Sequence, residues 1–127
     1  MTIYVAHAAA FDYENELYEP IRSSELSNKY TFVLPYEQRE TPINSKEVLE
    51  NAQLVIAEIS YPSTGMGIEL GWANLYKKPI ICIHKRGTKL SRSLKIISDK
   101  FVEYEDSSDM ISKITHIIME REKSNAV

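Results

Sequence analysis

With one cysteine, Cys82, the chain cannot form an internal disulfide, and its three histidines are scattered without the spacing of a zinc site. A reducing cytoplasm is the compartment that fits, with neither a metal nor an organic cofactor expected. Long apolar runs are missing too: the longest, residues 80–83 among them, stop at four residues, far short of a bilayer span. Positive charge is not in excess, since 15 Lys and Arg stand against 18 Asp and Glu, a net charge of −3. A dedicated binder of DNA or RNA, with its strongly basic footprint, is therefore excluded. Residues 3–10 are apolar and small, yet nothing basic precedes them and acidic residues follow soon after, so they are not read as a secretory signal. Repeats, linkers and low-complexity tracts are lacking as well. The 127 residues, 43% hydrophobic and 26% charged, read as one globular domain over residues 1–127.

What is present is an alternation of strands and helices. Residues 2–6 are β-branched and aromatic, a first strand. Leu17, Tyr18, Ile21 and Leu26 recur at helical spacing over residues 14–29, with Pro20 bending that helix or starting its main part. A second strand covers 31–34. A helix capped by Asn44 or Ser45 runs to Ala52, and residues 54–59 form a near-continuous apolar third strand, as in a parallel sheet covered on both faces. A turn over 61–65 leads to a helix over 68–76. Strand four (79–84), a short helix (91–97), strand five (101–104) and a closing amphipathic helix (108–122) complete the chain. The pattern predicts an α/β, flavodoxin-like (Rossmann-like) fold: a five-stranded parallel sheet in order 2-1-3-4-5 with helices on both faces.

In such sheets ligands bind beyond the carboxyl ends of the strands, where the strand order reverses, here between strands one and three. Residues 7–13 and 60–67 line that space. Of four glycines, Gly65, Gly67 and Gly71 fall within seven residues just after strand three. They could open backbone N–H groups to an anion at a helix start, or merely permit a tight turn, with Gly71 allowing close helix-sheet packing. Glu69 lies in the first turns of that helix, whose N-terminus favours an ionised carboxylate. Such a group is a nucleophile or cation stabiliser for cleavage of a glycosidic bond.

Residues 53–73, Gln-Leu-Val-Ile-Ala-Glu-Ile-Ser-Tyr-Pro-Ser-Thr-Gly-Met-Gly-Ile-Glu-Leu-Gly-Trp-Ala, and then Lys78-Pro79-Ile80-Ile81-Cys82-Ile83, resemble the core of the nucleoside 2-deoxyribosyltransferase superfamily. Within it they are most similar to the 2′-deoxynucleoside 5′-monophosphate N-glycosidases. Outside residues 53–83 the resemblance runs thinly along the whole chain. It implies that Glu69 attacks the anomeric carbon and that water or a second base resolves the glycosyl-enzyme ester. It also implies that Tyr4 positions Glu69. Ser63 stands where the family's transferases carry an aspartate for the 5′-hydroxyl and its monophosphate hydrolases a phosphate-binding serine. An aspartate would repel a phosphate dianion, whereas a hydroxyl beside glycine N–H groups would receive it. A second phosphate serine, donated in the family by a neighbouring subunit, falls on Ser93, with Ser91 as near rival. Residues 77–98 carry seven Lys or Arg and no acid, a field suited to an anion.

Two places depart from the family. Its first loop is glycine-rich with an arginine, whereas here the loop reads His7-Ala8-Ala9-Ala10-Phe11, leaving His7 to supply charge. Its catalytic aspartate is replaced by Asn44-Ser45, with Asp12, Glu37 and Glu47 as possible substitutes and Glu58 as a structural carboxylate. The expectation is a cytoplasmic homodimer with a shared active site, acting on a small-molecule nucleoside or nucleotide. It would cleave the N-glycosidic bond of a (2′-deoxy)nucleoside 5′-monophosphate, with no nucleic acid polymer and no membrane as partner. Base exchange between free deoxynucleosides, and non-catalytic nucleotide binding, are the alternatives.

Overall fold

The computed structural model describes residues 1–37 and 43–125. Its five strands are β1 (Thr2–His7), β2 (Thr31–Val33), β3 (Leu54–Glu58), β4 (Ile80–Lys85) and β5 (Lys100–Tyr104). All neighbours pair in parallel, in the order β2-β1-β3-β4-β5 expected from the sequence. Tyr4 sits in the middle of β1, opposite Val33 on one side and Val55 on the other.

Because side chains alternate along a strand, the sheet divides the core in two. Ile3 and Val5 of β1 share one face with Leu54, Ile56, Ile81 and Ile83. That face is covered by α1 (Glu19–Arg22), α2 (Leu26–Lys29) and α6 (Ser107–Asn125), the last burying Met110, Ile114 and Ile118 at four-residue intervals. Tyr4 and Ala6 share the other face with Val55, Ala57 and Cys82. Over it pack α3 (Ser45–Asn51), α4 (Thr64–Leu75) and α5 (Leu94–Ile97). Among the described residues no helix is long and apolar enough to cross a membrane.

Several boundaries differ from the sequence expectation, each for a local reason. The helix over 14–29 is broken into a π-helical turn (Glu14–Tyr18), α1 and α2. Pro20 has no N–H to continue an α-helical ladder, and the preceding Glu19 N–H reaches back five residues to Glu14. Asn44 is the N-cap of α3, its side chain accepting from Glu47 N–H at 3.2 Å. The largest correction is α4, which begins at Thr64 rather than at 68, because Ser63 caps it: the Ser63 hydroxyl accepts from Met66 N–H at 3.2 Å. At its other end Lys77, at φ 59°, takes the left-handed position, and Lys78 N–H closes on Ala73 O at 2.9 Å. The helix thus stops at Leu75, with three residues between it and Pro79.

Candidate active site

The parallel order places Tyr4 of β1 beneath α4. There its hydroxyl donates to Glu69 Oε2 at 2.5 Å, across 65 residues of sequence. Glu69 is half-buried in the second turn of α4, beyond the first-turn reach of the helix dipole. Its carboxyl is shifted opposite to the expected direction. Burial raises its pKa above the ordinary glutamate value, against the lowering effect of the Tyr4 and Ser45 hydroxyls. Tyr4 is itself held protonated, its pKa far above the usual 10 through burial and then through the hydrogen bond to Glu69, so it stays a donor at every working pH. The result is a partly desolvated carboxyl held by the hydroxyls of Tyr4 and Ser45.

Ser45, the first residue of α3, is the site residue that sequence reasoning passed over. It stands where an aspartate was sought and acts on Glu69 through its hydroxyl. The proposed substitutes are engaged elsewhere. Asp12 accepts from the Asn15 side chain at 3.0 Å, and Glu37 forks with Arg22 at 2.6 and 2.7 Å. Glu47 is exposed on the first turn of α3. Glu58 is fully buried, accepting from Tyr104 OH and, at 2.5 Å, from Ser60 N–H, as a structural carboxylate does.

At the start of α4 the glycines do less than expected. Gly65 and Gly67 lie inside the helix with ordinary φ, and Gly67 N–H already donates to Ser63 O at 3.1 Å. Gly67 therefore offers no N–H to an anion, and Gly71 faces open space instead of allowing a close approach to the sheet. Ser63 keeps its hydroxyl proton free to donate, since the cap uses only a lone pair. A cavity of about 270 Å³ brings Ser63 and Gly67 together with Ser91, Ser93 and Lys89 of the same chain. No partner is needed for Ser93 to meet Ser63 around that space.

His7 is buried at the end of β1 and cannot serve as the missing cation. Its Nδ1–H donates to Ala8 O at 2.7 Å, and its Nε2 accepts from Tyr18 OH at 2.6 Å, which in turn accepts from Tyr36 N–H at 2.9 Å. A carbonyl can only accept, which fixes the tautomer, and burial lowers the imidazole pKa below its ordinary value. Around it stand Phe11, Tyr13, Tyr18 and Tyr36, an aromatic wall that continues to Tyr61, stacked on Phe11 at 4.7 Å.

No protein-family model matches the chain. A Thermofilum pendens protein that bears the name 2′-deoxynucleoside 5′-phosphate N-hydrolase 1 is 30% identical over 95 residues, 68% of this chain and 66% of that one. A 5-hydroxymethyl-dUMP N-hydrolase of Branchiostoma floridae is 43% identical over 37 residues, 29% of this chain and 35% of that one. The chain belongs to the nucleoside 2-deoxyribosyltransferase superfamily. It spans just under two thirds of the first of these curated relatives and about a third of the second. Two solved structures share the superfamily fold. A Clostridium botulinum CMP N-glycosidase matches with a TM-score of 0.66 and 19% identity, over 91% of this chain and 99% of that one. A 2-deoxyribosyltransferase from Bacillus psychrosaccharolyticus matches at 0.56 and 20%, over 87% and 90%.

Proposed function

We propose that this member of the superfamily is a cytoplasmic enzyme, one domain over residues 1–127, that cleaves the N-glycosidic bond of a nucleoside 5′-monophosphate, with 2′-deoxynucleotides as the favoured class. The observation that carries the reading is the Tyr4–Glu69 pair: a partly desolvated carboxylate in the second turn of α4, one oxygen held at 2.5 Å by a permanent donor. In this reading Glu69 Oε1 attacks C1′ of the sugar while the electron pair of the C1′–N bond leaves with the base. The resulting glycosyl ester is then attacked by water at C1′, which returns the carboxylate and releases the sugar phosphate. Tyr4 stabilises the carboxylate at both ends of this cycle, as ground-state nucleophile and as leaving group.

Support for a phosphate comes from the start of α4. There the helix leaves the N–H groups of Thr64 and Gly65 without intrahelical acceptors, and the adjoining Ser63 lines a cavity with Ser91, Ser93 and Lys89. We also infer a homodimer. Ile68 and Leu75, seven residues apart on one face of α4, and Ile96 on α5 are 51%, 72% and 80% exposed, apolar side chains that a second copy would cover. Gly67, next to Ile68, lines the cavity that holds Ser63 and Ser93, so a copy seated there would lie beside the proposed phosphate site.

The test is chromatography of products after incubation with a panel of nucleosides and their 5′-monophosphates. Free base should appear, and kcat/KM for a 5′-monophosphate should exceed that for its nucleoside by about tenfold or more, the worth of one charge-assisted hydrogen bond. A preference for unphosphorylated nucleosides, or a new nucleoside formed when a second free base is supplied, would shift the assignment to base transfer.

A further inference from the structure

The loop that delivers Ser63 to the head of α4, residues 60–63, carries no secondary structure of its own, yet it is fixed at two consecutive residues by one side chain and its amide. Lys85, the last residue of β4, uses its backbone N–H to donate to Ser60 Oγ at 2.8 Å. Its ammonium group donates to Tyr61 OH at 2.7 Å and pairs with Glu16 on the π-helical turn. The same ammonium lies 5.1 Å from the Tyr61 ring centre and 5.9 Å from that of Phe11, the two rings being stacked within 17° of parallel. From below, Glu58 holds Ser60 N–H and is itself held by Tyr104. Three segments separate in sequence, the loop after β1, the loop after β3 and the end of β4, therefore meet on one cation. Lys85 remains charged there, because the Glu16 and Tyr61 contacts outweigh the partial burial that opposes them.

We propose that Lys85 is the positioning residue of the phosphate loop: by tying Tyr61 to Glu16 and Phe11 it presets Ser63 and the first N–H groups of α4 before substrate arrives. The claim rests on the phosphate reading given above, with Lys85 itself touching no reacting atom. Its ammonium is already occupied by Glu16 and Tyr61, so its contribution is the ordering of a loop that the substrate would otherwise have to order itself. Such a cost falls on binding of the phosphorylated substrate and leaves the chemistry at Glu69 unchanged.

The experiment compares wild type with Lys85→Met, Lys85→Arg and Glu16→Gln, using deoxyuridine 5′-monophosphate and deoxyuridine as the probe pair. Amide hydrogen exchange of the unliganded proteins is measured alongside. Lys85→Met should raise KM for the monophosphate by about tenfold with kcat changed less than about twofold, leave KM for the nucleoside nearly unchanged, and speed exchange at residues 60–66. Lys85→Arg, which keeps a charged donor over the two rings, should restore most of the loss, and Glu16→Gln should reproduce part of it. Equal effects on nucleotide and nucleoside, or a fall in kcat with KM unchanged, would reduce Lys85 to a fold-stabilising residue and overturn the proposal. Unchanged exchange at residues 60–66 in Lys85→Met would overturn it independently of any activity. Wild-type protein that releases base from neither probe, nor from the wider panel, would instead overturn the glycosidase reading and the proposal that rests on it.

Discussion

Glu69 is poised between solvent and core, and that position sets both its chemistry and its cost. Burial raises its pKa, so the folded protein favours the neutral carboxyl more than the unfolded chain does. The stability this brings is complete below the ordinary glutamate pKa and is lost as pH rises through the folded value; at neutral pH the ionised nucleophile is a net burden. Glu69→Gln keeps the shape and an acceptor for Tyr4 while removing the charge. It should lower base release by roughly three orders of magnitude or more. The same variant should melt at a higher temperature than wild type at pH 7, a difference that closes as the solution is acidified below pH 4 or so. Thermal melts across pH and a product assay check the two halves together. Glutamate at position 69 was legible from its motif, but the direction of its pKa was not. The sequence suggested a helix start acting on a carboxylate, whereas Glu69 lies a turn further in, beneath neighbours that strip away its water.

At the scale of the element, α4 shows how one hydroxyl can serve two ends. Ser63 is the N-cap, worth roughly 0.5–2 kcal/mol when replaced by alanine. In the proposed reading it is also a donor to the substrate phosphate. Two substitutions separate these roles. Ser63→Ala should lose the cap energy in denaturant titration and part of the preference for a monophosphate. Ser63→Asp, an equally good cap, should retain stability but lose or reverse the preference through charge repulsion. A variant of the second kind that still preferred monophosphates would remove the phosphate role from Ser63. The helix also explains a misreading. Gly65 and Gly67 have poor helix propensity, so the sequence pointed to a turn through 65 and a helix from 68. The cap at Ser63 and the burial of Met66, Leu70 and Ala73 against the sheet overcome that penalty of about 1 kcal/mol per glycine.

For the whole molecule assembly turns on the exposed apolar side chains Ile68 and Leu75 of α4 and Ile96 of α5, while Met66, Leu70 and Ala73 of α4 pack against the sheet. Sedimentation at micromolar concentration should give a dimer, and the double substitution Ile68→Asp with Leu75→Asp should give a folded monomer, since two charges cannot be buried at an apolar contact. A wild type that is monomeric and fully active would remove the shared site. Mixing Glu69→Gln protein with a Ser93→Ala variant would show whether one chain's serine serves its neighbour's glutamate, because activity regained on mixing requires exchange across the interface.

Periodicity and motif alone determined the order of elements, the parallel sheet and the residue that carries the carboxylate. These follow from local rules: continuous apolar runs where both faces of a strand are covered, helical spacing between them, and strand order limited by right-handed crossovers. Tertiary structure decided what each site residue experiences. His7 looked like a cation and is a neutral, buried link between Ala8 and Tyr18. Gly67 looked like an anion donor and has spent its N–H on Ser63. Ser45 looked like a gap in a motif and acts on Glu69, while Lys85 looked like one charge among seven in a basic stretch and ties two loops to the end of β4. Burial and partnership are set by residues tens of positions away in the chain, and no spacing within a single segment encodes them.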